Sequence, residues 1–200
     1  MKKAVQVILL LVIVFLGYCL VKSINEPVKF RTEMDKRYSK AVQRLKDIRT
    51  AEVAYKSIYN RYTGNFDTLI NFINHDSFTV VRQIGSEEDF SAVAKRLIVR
   101  EKIKISVKDS LFKRQNADSL RFVPFTGGRH RFELAAGVIE TASKVTVHTF
   151  ECKVLFDILL EGLDRQMVIN INEEKKMQDK YPGLVVGSLT EATNNAGNWE

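Results

Sequence analysis

Two hundred residues, 45% apolar and 28% charged, suffice for one modest domain and argue against wholesale disorder. Ten Gly and three Pro exclude collagen-like and Pro-rich classes, two Cys exclude a disulfide scaffold, and a mean hydropathy of −0.14 excludes a multi-span membrane protein. The net charge of +7 is spread unevenly along the chain.

After Met1-Lys2-Lys3, the chain from Ala4 to Val21 carries one polar side chain, Gln6, before Lys22. As a helix these 18 residues span about 27 Å at about 1.5 Å per residue, close to the hydrocarbon thickness of a bilayer. Neither Leu20-Val21-Lys22 nor Lys22-Ser23-Ile24 makes a small-x-small cleavage site, and Tyr18 stands where a lipoprotein signal ending at Cys19 needs a small residue. A retained single-pass anchor in the inner (cytoplasmic) membrane is expected. Lys22, Lys29, Arg31, Lys36 and Arg37 on the far side pull toward a cytoplasmic domain. The usual insertion of a basic-plus-apolar N-terminus pulls the other way. The expectation is a cytoplasmic N-terminus and a periplasmic or otherwise extracytoplasmic domain. Cys19 in the membrane and Cys152 outside it leave no intramolecular disulfide.

Pro27 removes a helical hydrogen bond, so a kink or short break is expected there. From Val28 to about Tyr62 there is no Gly and no Pro. Met34, Tyr38, Ala41, Leu45, Ile48, Glu52, Tyr55, Tyr59 and Tyr62 follow one another at alternating steps of four and three, with Glu52 the exception in the stripe. Val42, Ala51 and Ile58 widen it. Such a stripe either covers the chain's own sheet or is shared with a neighbouring copy or partner helix. Phe30, Met34, Tyr38, Leu45, Ile48 and Tyr55 are the candidate assembly residues, with the membrane-proximal three facing neighbours and Leu45 onward packing on the sheet. Residues 29–61 hold ten Lys/Arg and four acids, a net of +6, so the opposite face is basic, either solvated or near anionic headgroups.

A basic leader, an apolar segment and a proline-marked long helix lead into Ala51-Glu52-Val53-Ala54-Tyr55-Lys56 and Tyr59-Asn60-Arg61-Tyr62-Thr63-Gly64. This layout resembles type IV pilins and type II secretion pseudopilins, and also a family of uncharacterised single-pass envelope proteins. The resemblance implies a membrane-anchored subunit that forms homo-oligomers or joins envelope protein partners through its long helix.

Beyond residue 64 the pattern is α+β. A short helix over Phe66–Ile73, capped by Asn65 or Asp67, precedes a β-rich run from Ser77 to Gly85. Ser86-Glu87-Glu88-Asp89 opens a helix. Ile103–Val107 and Leu120–Phe125 alternate as strands, Thr126-Gly127-Gly128-Arg129 reads as a hairpin turn, and Arg131–Glu140 and Lys144–Val154 as two more strands. Arg165–Tyr181 reads as a mixed strand-to-helix segment, Leu184–Gly187 as a last strand, and Thr193–Asn198 as a polar tail with Trp199 docking back. The chain divides into an anchor with its kink (1–27), a long amphipathic basic helix (28–63) packed on an antiparallel sheet, and an α+β domain (64–200).

No catalytic constellation stands out. His75, His130 and His148 lie far from one another, and His148 and Cys152, four apart on one strand, are about 13 Å apart, too far for a nucleophile–base pair. Neither an enzyme, a cofactor nor a metal is expected. The second functional candidate is a basic patch in residues 95–131: Lys95, Arg96, Arg100, Lys102, Lys104, Lys108, Lys113, Arg114, Arg121, Arg129 and Arg131 against three acids. With Phe112, Phe122 and Phe125 interleaved, it would make an anchored binding module for DNA, anionic lipid or polysaccharide, the weaker of the two readings. Residues 157–200 are acidic, four Lys/Arg against eight acids, which suits head-to-tail packing between copies or an internal match in the fold.

Overall fold

The computed structural model describes residues 2–84, 99–113, 116–141 and 144–200, with side chains for these except 2–5, 80–84 and 99–102. The fold is α+β: a long N-terminal apolar helix and two small antiparallel sheets. The expected helix opening at Ser86 lies outside the described residues.

Helix α1 runs from Lys2 to Tyr59 and contains Pro27. Of the expected kink or short break, the break is absent, since α1 is helical through Pro27. Pro27 forfeits only its own bond to the Ser23 carbonyl, and long helix-compatible sequence on both sides carries the helix through. The positive-φ Asn60, whose N–H donates to Lys56 O at 2.8 Å, ends α1, three residues before the sequence pattern stops. Helix α2 (Phe66–His75) starts at Asn65, whose side chain accepts from the Asp67 N–H at 2.7 Å.

Strand β1 (Ser77–Ile84) pairs with β2 (Val99–Ser106) as a separate antiparallel ribbon, followed by a short helix α3 (Val107–Leu111). The alternating Leu120–Phe125 is not a strand. Asn116 accepts from the Asp118 N–H at 3.1 Å, and the Ser119 hydroxyl donates to Asn116 O at 2.7 Å. These local bonds fold Ala117–Arg121 into a 3₁₀ helix that buries Leu120. Only Phe122 pairs, through a single bridge to Arg131 across the Pro124–Gly128 turn, where Phe125, Gly127 and Gly128 take positive φ.

The second sheet has the order β3-β4-β5: β3 (Glu133–Glu140), β4 (Thr146–Leu155) and β5 (Gly183–Gly187). It is not one continuous meander, because α4 (Phe156–Leu159) and α5 (Arg165–Met177) intervene before β5. Arg165–Met177 is helical with no strand, started by the Asp164 side chain accepting from the Met167 N–H, and the helix stops before Tyr181. The C-terminal tail is not free. Gly197 bridges Val186, and the Asn198 N–H donates to Val185 O at 3.0 Å, so the tail covers the β5 edge. Trp199 is half-buried against the core.

Ala41, Leu45, Ile48, Ala51 and Tyr55 of α1 are buried and share one hydrophobic core with Leu69, Ile73, Leu120, Phe150, Cys152 and Leu184. Tyr55 meets Phe72 edge-on at 5.2 Å between ring centroids, and Tyr62 lies 4.9 Å from Phe150.

Candidate functional site

The half of α1 inside the core is fixed by the residues that interrupt or flank its apolar stripe. Glu52, the exception in the heptad spacing, is fully buried (0% exposed). Its Oε2 accepts the Thr63 N–H at 3.0 Å, tying the loop after α1 back onto the helix, and its Oε1 has no partner. Burial pushes its carboxyl up to about 8, opposed by the Thr63 hydrogen bond, so it is protonated at neutral pH. The Cys152 thiol, also fully buried, is pushed up by burial first and then by Glu52, Glu151 and Glu133. Such a thiol is an inert core group. Both cysteines are free thiols.

Three arginines of the basic face turn inward and clasp the domain. Arg37 donates to the carbonyls of Leu159 (3.3 Å) and Glu161 (2.8 Å), at the end of α4. Arg44 donates to the Ser119 carbonyl and to its hydroxyl at 2.6 Å. Arg49 reaches Asn195 O at 3.2 Å and pairs with Glu200 at 2.7 Å. Lys36 Nζ and the Arg37 guanidinium each lie 5.7 Å from the Phe125 ring centroid. The face is therefore partly spent on holding helix to domain. The sequence pattern gave no sign of these contacts, because every arginine partner is 75 to 151 positions away along the chain.

Of the candidate assembly residues, Leu45 and Ile48 are 0% exposed and Tyr55 is buried, all in the chain's own core. Phe30 is also buried, at 7%, while Met34 and Tyr38 are half-buried against the same core. Phe30, Met34 and Pro27 form one wall of an open groove whose other wall is Met167 and Ile171 of α5.

Six side chains of the expected basic patch lie among those the structure describes. Lys95, Arg96 and Arg114 lie outside the described residues, and of Arg100 and Lys102 the structure describes only the strand backbone. Lys104, Lys108 and Lys113 are exposed along β2 and α3. Arg121 pairs with Asp67 at 2.8 Å, Arg129 with Glu161 at 3.2 Å, and Arg131 lies over the Phe122 ring. The Arg129–Glu161 and Arg49–Glu200 pairs join basic and acidic stretches inside one chain. Among the described residues, no three His, Cys, Asp or Glu side chains gather in a way that would hold a metal ion.

The remaining feature is the bare part of α1. From Val7 to Val21 its large apolar side chains are 46% to 66% exposed, and among the described residues no other element covers them. It is one helix near the N-terminus long and apolar enough to cross a membrane. No protein-family model, curated protein or solved structure matches the chain. The comparisons thus lend the resemblance to pilins no support.

Proposed function

We propose that this chain is a single-pass, membrane-anchored structural subunit of a cell-envelope assembly, pilin-like in layout. Its N-terminus is cytoplasmic and its α+β domain lies on the extracytoplasmic side of the inner membrane. The observation that carries the reading is the uncovered apolar run Val7–Val21, continuous with a helix half that Arg37, Arg44 and Arg49 lock to the domain. An exposed apolar surface of this extent is tolerable only against lipid or protein. In this reading the distal half of α1 packs across the three-stranded sheet, and copies meet through the membrane helix, since the stripe beyond Arg37 is already occupied within the chain. The domain is a platform rather than a catalyst.

Two measurements test this. A reporter fused after Glu200 should be active outside the cytoplasm, and the protein should pellet with membranes at the intact mass of the full chain. Activity only in the cytoplasm would reverse the orientation, and loss of the first ~20 residues would remove the anchor. For assembly, single cysteines placed at Val12 through Leu16 in a Cys19→Ser, Cys152→Ser background should cross-link in native membranes on one helical face. No position cross-linking above background would overturn the subunit reading. Polyanion binding that falls steeply with salt would instead favour a binding module built on Lys104, Lys108 and Lys113.

A further inference from the structure

Strand β5 stops short of its neighbour. It pairs with β4 from Glu151 to Leu155, so among the described residues the Thr146–Phe150 half of β4 pairs only with β3. A Cβ at Gly183 or Gly187 would run into the carbonyl oxygens of Val154 and Phe150, so the main chain at 150 and 154 faces β5. By the alternation of a strand, the main chain of His148 faces the same way, into the space where β5 has already turned off at Gly187 (φ 73°). The following segment, residues 188–195, bows around this space and, with the end of α1, lines a partly open cavity of about 200 Å³.

The lining is rich in hydrogen-bond donors. Thr149 is 5% exposed and its hydroxyl has no partner, and the buried Thr193 hydroxyl also has none. Buried polar groups left this way are rare and call for an occupant. The Tyr62 hydroxyl oxygen already takes Asn195 Nδ2 at 2.8 Å and Lys56 Nζ at 3.5 Å, so its own proton is left to donate. Lys56 Nζ lies 4.6 Å over the Tyr62 ring, and among the described residues no carboxylate lies within ion-pair distance of it. The one acid in the lining, Glu191, is exposed, with its backbone N–H held by the Ser188 hydroxyl at 3.2 Å. A second cavity shares Lys56, Tyr62 and Asn195 and is bordered by Arg49, which pairs with Glu200 at 2.7 Å.

We infer that this cavity is a binding site for a small oxyanion, a carboxylate or a phosphate, held by the Thr149, Thr193 and Tyr62 hydroxyls and the Lys56 ammonium. Hydrogen bonds from several donors to a charged oxygen are the strong kind, and they satisfy groups otherwise stranded in the fold. The volume is worth about seven waters at about 30 Å³ each, which suits an ion or a molecule of a few carbons. Lys56 lies 34 residues beyond Lys22 along one helix, about 51 Å from the membrane edge at about 1.5 Å per residue. Lipid headgroups are out of reach, and the guest comes from solution.

The test uses the full-length protein in detergent micelles, titrated separately with inorganic phosphate and with acetate at constant ionic strength, with chloride as the control. Binding is followed by calorimetry and by the shift in melting temperature. One of the two anions should give a saturable signal, and the better one names the guest class. Thr149→Val and Lys56→Gln should each weaken it at least tenfold, while Thr149→Ser, which keeps the hydroxyl, should bind within about threefold of wild type. Should Thr149→Val fail to fold, Lys56→Gln and Thr149→Ser decide alone, since Lys56 is only part-buried. No saturable signal with either anion, or equal binding by wild type and Lys56→Gln, would overturn the site.

Discussion

Glu52→Gln is expected to make the protein more stable at alkaline pH and to flatten its stability across the neutral range. The unfolded carboxyl titrates near 4.5, and the folded one near 8, because burial disfavours its charge. Between those values the unfolded chain releases a proton that the folded chain keeps, so wild-type stability declines as pH rises from about 4.5 to about 8. Above 8 the folded form ionises too and the decline levels off. At about 1.4 kcal/mol per pH unit, the gap corresponds to about 5 kcal/mol. Gln is uncharged and nearly isosteric, and its amide oxygen can still accept the Thr63 N–H. The difference between variant and wild-type melting profiles from pH 4.5 to 9 isolates this one group from all others. Parallel profiles would mean that Glu52 is ionised in the fold at neutral pH, with a partner for Oε1.

Leu45→Ala is expected to cost about 2–5 kcal/mol, through lost transfer energy and the cavity left in a site with no exposed surface. Val53→Ala on the same helix removes a side chain that is 47% exposed and should change stability by less than about 0.5 kcal/mol. Chemical denaturation of the two variants in the same micelles, at several protein concentrations, reads the contrast directly. Equal small effects would place Leu45 at a surface between chains. A Leu45→Ala loss independent of concentration would place it in the core of one chain.

What could be read in advance was what local spacing encodes. The apolar run, the alternating steps of four and three, and a cap at Asn65 or Asp67 are all patterns within one or two helical turns, and α1 and α2 lie where those patterns put them, with Asn65 as the cap. At Pro27 the lost bond does not break α1, because the flanking turns together carry the helix on. Leu120–Phe125 alternates like a strand, but Asn116 and Ser119 offer the backbone closer partners. Glu52 was visible as an odd letter in the stripe, and the loop it holds was not, since Thr63 is on the far side of the turn. The arginine clasps and the Thr149–Thr193 cavity join residues far apart in the chain, and no periodicity records such meetings.

Because α1 passes Pro27 without interruption, its apolar N-terminal run and the domain are geared to each other like the two ends of a shaft. One residue inserted between Val21 and Phe30 would turn the domain by about 100° about the shaft and lift it by about 1.5 Å, whereas seven would lift it by about 10 Å with almost the original heading restored. If neighbouring copies touch through their domains as well as in the bilayer, a one-residue insertion should abolish assembly and a seven-residue insertion should largely restore it. The heading of the domain, and not only its height, is then set by the count of residues between Val21 and Phe30.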